Sequence, residues 1–193
     1  MRLTNKKVAI LVSNEFEDIE LLYPLIRLSE EGAWITIGTL QIGFHPRPAF
    51  PDKPITGRFG STVPPIVLRE GRRFDLKPIA DMNPDDYDAL IVPGGFSPDY
   101  LRRDPKTLEF VRGIHKLNRP IASICHGPWL LISAGIVRGK NMTCVSAIKD
   151  DLINAGANYQ DAAVVVDGNL ISSRTPDDLP DMCLALIEAM ARA

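Results

Sequence analysis

The sequence predicts an α/β fold: a three-layer sandwich with a mostly parallel central sheet and a strand-to-helix elbow. Three observations lead to it. Short, continuously apolar runs such as KVAILV, LIVP and IASI are the mark of strands buried on both faces. Between them lie segments with apolar residues at helical spacing, and such alternation specifies parallel strands with helices on both faces. The stretch Pro120 to Gly135, PIASICHGPWLLISAG, passes abruptly from a strand-like run to a helix-compatible run at Cys125-His126-Gly127.

Taken in order, Lys7 to Val12 reads as a buried strand. It is followed by a helix over Ile19 to Glu31, where Leu21, Leu22, Leu25, Ile26 and Leu28 recur at helical spacing and Gly32 ends the run. Ala33 to Thr39 (AWITIGT) is the next strand and completes a βαβ unit. Between about residues 40 and 81 prolines, glycines and mixed charges predict a hairpin-and-loop excursion rather than a core element. The pattern resumes with a strand at Leu90 to Pro93, a helix from Pro105 to Leu117, a strand at Ile121 to Ile124 and a helix after Cys125. A strand over Met142 to Val145 and a helix over Ala147 to Ala155 come next. Ala163 to Val166 and Leu170 to Ser173 pair across Asp167-Gly168-Asn169, a hairpin signal, and a last helix runs from about Pro176 to Ala191.

With 193 residues the chain is long enough for one well-buried core, so a single domain over 1–193 is expected. A net charge of −2, with only small basic groups such as Arg72-Arg73 and Arg102-Arg103, provides no electrostatic basis for a nucleic-acid partner. The apolar run near the N-terminus is too short for a signal peptide or a membrane span, which leads to the expectation of a cytoplasmic protein without a membrane partner. Cys125, Cys144 and Cys183 are odd in number and widely spaced, and His45, His115 and His126 are scattered. Neither set suggests a disulfide framework or a metal site. Cys144 and Cys183 lie inside apolar patterns and read as structural.

Cys125 is the residue that calls for chemistry. A cysteine at a strand-to-helix junction sits near unpaired backbone N–H groups and the positive end of a helix dipole, which favour thiolate over thiol. Gly127 removes a side chain where backbone would crowd the elbow, Pro128 suits a first helical turn, and His126 places a base of near-neutral pKa beside the sulfur. The competing reading is a small buried hydrophobe. In open α/β sheets ligands sit beyond the carboxyl ends of strands. Asn14 to Asp18, Gly94 to Asp99 and Cys125-His126 all follow predicted strands, so they converge on one crevice.

The stretches NEFEDIELLYPLIRLSEEG, TGRFGSTV, DALIVPGG, SICHGPWLLISAG, IKDDLINAGA and VVVDGNLISSRTPDDL resemble, in the expected order, the PfpI branch of the ThiJ/PfpI superfamily. The chain departs from that pattern around Phe44 to Pro54 and Pro64 to Asp75, where it looks longer. The resemblance implies a flavodoxin-like, class I glutamine amidotransferase-like fold. It implies Cys125 as nucleophile, His126 as its base, and a carboxylate from the first helix beside the thiol. Glu20 matches that position by ungapped spacing, and Glu17 lies three residues earlier; for both, the competing reading is a solvated helix face. It further implies that Asp99 acts across a subunit boundary to orient His126, hence a homodimer or hexamer; the competing reading is a helix N-cap. The backbone N–H groups of Gly95 and His126 are the expected oxyanion hole. A Glu20 in contact with the sulfur is expected to be protonated.

The function implied is a cofactor-free cysteine hydrolase or lyase acting on electrophilic carbonyls. Its substrates would be peptides, or methylglyoxal and glycated adducts in a glyoxalase III or protein deglycase role. The alternative is a redox-responsive stress or chaperone-like protein that senses oxidation at Cys125. A glutaminase carries less weight, because neither His45 nor His115 is placed for it.

Overall fold

The structure, a computed structural model, describes residues 1–41, 54–63 and 74–192. The described residues form an α/β sandwich built on a seven-stranded sheet. Strands β1 (Lys7–Val12), β2 (Trp34–Thr39), β3 (Phe74–Pro78), β4 (Ala89–Val92), β5 (Ile121–Ile124), β8 (Val164–Asp167) and β9 (Leu170–Ser173) lie in the order β3-β2-β1-β4-β5-β9-β8. All neighbouring pairs are parallel except the β8–β9 hairpin. A separate two-stranded parallel ribbon joins β6 (Asn141–Met142) to β7 (Asn158–Tyr159).

The apolar strands are explained by their two covered faces. Val8, Ile10 and Val12 of β1 pack towards helices α1 (Asp18–Glu30) and α6 (Leu179–Arg192), with Leu21, Leu25, Leu28, Leu186 and Ile187. Ala9 and Leu11 face the other way, towards α3 (Pro105–Lys116) and α4 (Pro128–Ala134), with Phe110, Val111, Ile114, Leu130 and Leu131. Each Leu or Ile removed from water in this way contributes roughly 1.5–3 kcal/mol before the entropy of ordering it is subtracted. Two shorter helices, α2 (Ser97–Leu101) and α5 (Lys149–Asn154), complete the elements around α4.

Chain order reverses at β1. From there the sheet grows outward through β2 and β3, then resumes on the other side at β4, so the crevice between the ends of β1 and β4 is the topological switch point.

Two expectations are corrected. The excursion between about 40 and 81 does contribute a sheet element, because β3 pairs with β2 from Ile35↔Phe74 to Thr39↔Pro78. Its run, FDLKP, is largely exposed at the sheet edge and so lacks the apolar signature of the inner strands. Within the same excursion Ile55, Val63 and Ile79 are buried in the cores; the remainder, 42–53 and 64–73, lies outside the described residues. The expected strand over Met142 to Val145 is only Asn141–Met142. Beyond it the Thr143 N–H donates to Ser172 Oγ at 2.9 Å and the Val145 N–H to the Cys125 carbonyl at 3.3 Å, which turns the segment behind the elbow. Cys144 and Cys183 are fully buried among apolar side chains, in agreement with a structural reading. Among the described residues no helix is long and apolar enough to cross a membrane.

Candidate active site

Three loops meet beyond the carboxyl ends of β1, β4 and β5. The loop after β1 runs antiparallel to the loop after β4 through a bridge between Phe16 and Gly95, and the Phe96 N–H donates to the Glu15 carbonyl at 2.8 Å. Only glycine serves at position 95. Its φ is +69°, and a Cβ there would lie 2.2 Å from the Glu15 carbonyl oxygen.

The elbow after β5 holds Cys125 at φ +60°, a conformation that costs a non-glycine residue about 1–3 kcal/mol and persists when the surroundings impose it. Here the Cys125 N–H donates to the Ser173 carbonyl at 3.2 Å, while its own carbonyl accepts from Val145. Gly127 is required as anticipated: a Cβ would lie 2.4 Å from the Val92 carbonyl oxygen. Pro128 opens α4, as expected.

At the junction the Cys125 sulfur lies 3.3 Å from His126 Nδ1. The backbone N–H groups of Gly95 and His126 both interact with the thiol. Glu20, in the first turn of α1, is completely buried, and its Oε2 accepts from the Gly94 N–H at 2.6 Å. Its Oε1 has no nitrogen or oxygen partner among the described residues, and the Cys125 thiol, Glu17 and Arg58 also act on the carboxyl. Gly94 is the hinge of this contact, since a Cβ would come within 2.7 Å of Cys125 Cβ and 2.9 Å of both Glu20 Oε2 and the His126 nitrogen.

Burial governs the protonation of the cluster. Lost hydration pushes the Glu20 carboxyl up to about 7, opposed by the Gly94 N–H and reinforced by Glu17. The Cys125 thiol is pushed up to about 12, first by burial and then by the Glu20 charge, against the pull of the Gly95 and His126 N–H groups. This corrects the expectation of a resting thiolate: the elbow supplies the anticipated donors, but desolvation and the adjacent carboxylate outweigh them. His126 is held below its ordinary value by burial and then by Arg58, so its ring is neutral at pH 7.

The sequence-predicted residues separate clearly. Cys125, His126, Glu20, Gly94 and Gly95 come together. Glu17 occupies the N-cap position of α1 without a side-chain capping bond; its backbone N–H donates to the Gly94 carbonyl at 3.4 Å, while its carboxylate turns to Arg58 at 3.2 Å. Asp99 sits inside α2, not at its N-cap, and within the chain its carboxylate pairs with Arg103 rather than with His126. Asp18, Arg58 and Trp129 were not singled out from sequence. Asp18 accepts N–H groups of Phe59 and Ser61 at 2.8 and 2.7 Å and so holds the turn that carries Arg58. The signal available for that turn was the Gly57-x-x-Gly60 spacing. The Trp129 ring meets His126 edge to face at 5.0 Å, and its indole N–H donates to Asp151 at 2.8 Å. Among the described residues no group of three or more His, Cys, Asp or Glu side chains is arranged to hold a metal ion.

The model of the DJ-1/PfpI family matches residues 6–189. A relative from Pyrococcus horikoshii, named Deglycase PH1704, is 44% identical over 173 residues, covering 90% of this chain and 92% of its own. Another, Protein/nucleic acid deglycase 2 of Escherichia coli, is 40% identical over 177 residues, with 91% and 92% covered. Among solved structures, a two-domain protein of Anabaena variabilis with DJ-1/ThiJ/PfpI-like and ferritin-like domains is similar with a TM-score of 0.80 and 34% identity. The match covers 95% of this chain and 48% of that one.

Proposed function

The chain belongs to the DJ-1/PfpI family, and from that membership and the Cys125 site we propose a cysteine enzyme that attacks electrophilic carbonyls, with methylglyoxal and its adducts as the substrate class. The observation that carries this is the 3.3 Å approach of Cys125 Sγ to His126 Nδ1 on a strand-to-helix elbow, with Cys125 at φ +60°. The deglycase names of two relatives point the same way.

Chemically, a thiol beside a neutral imidazole is a nucleophile activated on demand. With its proton on Nε2, His126 presents Nδ1 to the thiol and takes the proton as the S–C bond forms. The N–H groups of Gly95 and His126 stabilise the negative charge that develops on the carbonyl oxygen. Return of the proton from His126 gives a hemithioacetal. Glu20, poised near neutrality, supplies both forms needed for proton transfer. Its carboxylate removes the C–H proton of the hemithioacetal carbon, the electron pair forms an enediol, and protonation of the adjacent carbon produces a thioester. Water then breaks the C–S bond, releasing lactate and restoring the thiol. Methylglyoxal plus water thus becomes lactate with no external oxidant or reductant. A peptide bond attacked by the same sulfur would give an acyl-enzyme instead.

A redox sensor needs an exposed thiol of low pKa. The burial of Cys125 and the Glu20 charge both act against that chemistry, which favours the enzyme reading. In the homo-oligomer expected from the sequence, Asp99 of the partner subunit would orient the His126 ring.

The decisive experiment is lactate formation from methylglyoxal by the wild-type protein and by Cys125→Ser, without glutathione or added metal. Turnover that vanishes in the variant is expected. Turnover that persists in Cys125→Ser, or is missing from the wild type, overturns the assignment of this substrate class to Cys125.

A further inference from the structure

Next to the buried Cys125–Glu20 pair lies a second acid, Glu17, whose backbone N–H donates to the Gly94 carbonyl at 3.4 Å and whose carbonyl accepts from the Glu20 N–H at 3.1 Å; its side chain is only 12% exposed. Left unpaired, it would add a negative charge next to a thiol that must lose its proton. The chain places a cation there. Arg58 NH1 lies 3.2 Å from Glu17 Oε2, on a turn fastened along its whole length to the loop after β1. The Glu15 N–H donates to the Thr56 carbonyl at 2.7 Å, Thr56 N–H to Asn14 Oδ1 at 3.1 Å and Arg58 N–H to the Phe16 carbonyl at 3.0 Å. Asp18 accepts the next two donors, from Phe59 and Ser61. Gly57 allows the close packing, because a Cβ there would lie 2.5 Å from Asp18 Oδ2.

We propose that Arg58 is a positioning residue that acts through Glu17: it holds that carboxylate in a neutral ion pair at the rim of the site and keeps a second negative charge off the Cys125–Glu20 pair. The proposal rests on the reading of Cys125 as the reactive thiol. Its contribution to folding is small, because the Arg58 side chain is 43% exposed. Its electrostatic contribution is larger, since the thiol sits in a desolvated site where nearby charges are poorly screened. Among the described residues, the charged and titratable groups that act on the thiol are Glu20 from α1, Glu17 from the start of that helix and His126 from the elbow, with Arg58 from the turn acting on Glu17, Glu20 and His126.

The test is the pH dependence of Cys125 alkylation by iodoacetamide, with the modified cysteine located by peptide mass spectrometry. It is run on the wild type, Arg58→Met, Arg58→Lys, Glu17→Gln and the double variant Arg58→Met/Glu17→Gln. Below the midpoint of the thiol the rate rises with pH, and Arg58→Met is expected to lower it by about tenfold at each pH. Glu17→Gln raises it, the double variant returns it to near the wild-type rate, and Arg58→Lys preserves it. An unchanged rate in Arg58→Met overturns the proposal, as does a double variant that stays as slow as Arg58→Met. Cys125 that resists alkylation in the wild type at every pH overturns the nucleophile reading itself, a separate outcome. Circular dichroism of each variant confirms that the comparison is made between folded proteins.

Discussion

Glu20→Gln removes a fully buried titratable carboxyl while keeping an oxygen for the Gly94 N–H. In the unfolded chain the Glu20 carboxyl titrates near 4.5, and in the folded protein burial raises it to about 7. As pH rises through this window the unfolded state releases its proton first, so native stability is greatest below 4.5 and falls until about 7, above which the deficit is constant. The deficit is about 3 kcal/mol at 1.36 kcal/mol per pH unit. Glutamine does not titrate, so the variant gains that amount relative to the wild type between pH 4.5 and pH 8. In a chain of this size this amounts to about 10 °C in Tm. Urea or thermal denaturation of both proteins at the two pH values measures it, because every other titrating group is common to both and cancels. The same substitution removes the second cause of the raised Cys125 thiol, so alkylation at pH 7.5 should accelerate about tenfold or more. Turnover should nevertheless fall by about 10²–10⁴, since the group that carries the proton is gone. Parallel pH–stability curves for the two proteins, or turnover within twofold of wild type, would refute the reasoning.

Other outcomes follow from the same geometry. Gly94→Ala forces a methyl group to within 2.7 Å of Cys125 Cβ; a loss of about 1–3 kcal/mol in urea denaturation is expected, with kcat reduced more than KM because the oxyanion hole is displaced. Cys125→Ser should abolish lactate formation and leave the melting temperature nearly unchanged, which separates loss of chemistry from loss of fold. Asp99→Ala should lower kcat and shift the acidic limb of the pH–rate profile if Asp99 of the partner subunit orients His126; an unchanged profile rejects the shared arrangement.

Much of the sheet was legible because its signals are local. Continuous apolar runs, the hairpin at Asp167-Gly168-Asn169 and the abrupt change of pattern at Cys125-His126-Gly127 need no knowledge of distant residues. All recur as β1, β4, β5, the β8–β9 hairpin and the elbow. The β3 strand carries no such local signal because, among the described residues, it pairs with β2 alone and its side chains are largely exposed. Glu17 and Glu20 differ by one helical turn and look alike as residues. They separate because Glu20 turns into the space beneath Gly94, 74 positions away, whereas Glu17 meets Arg58, 41 positions away.

By itself, then, the sequence determined the α/β alternation, the elbow and the identity of the cysteine and histidine on it, because backbone period and turn chemistry are properties of neighbouring residues. Only the tertiary structure decided that burial pushes the Cys125 thiol and the Glu20 carboxyl up and that Arg58 pairs with Glu17. Protonation follows from desolvation and from the charges that folding assembles, and neither exists until distant segments have met.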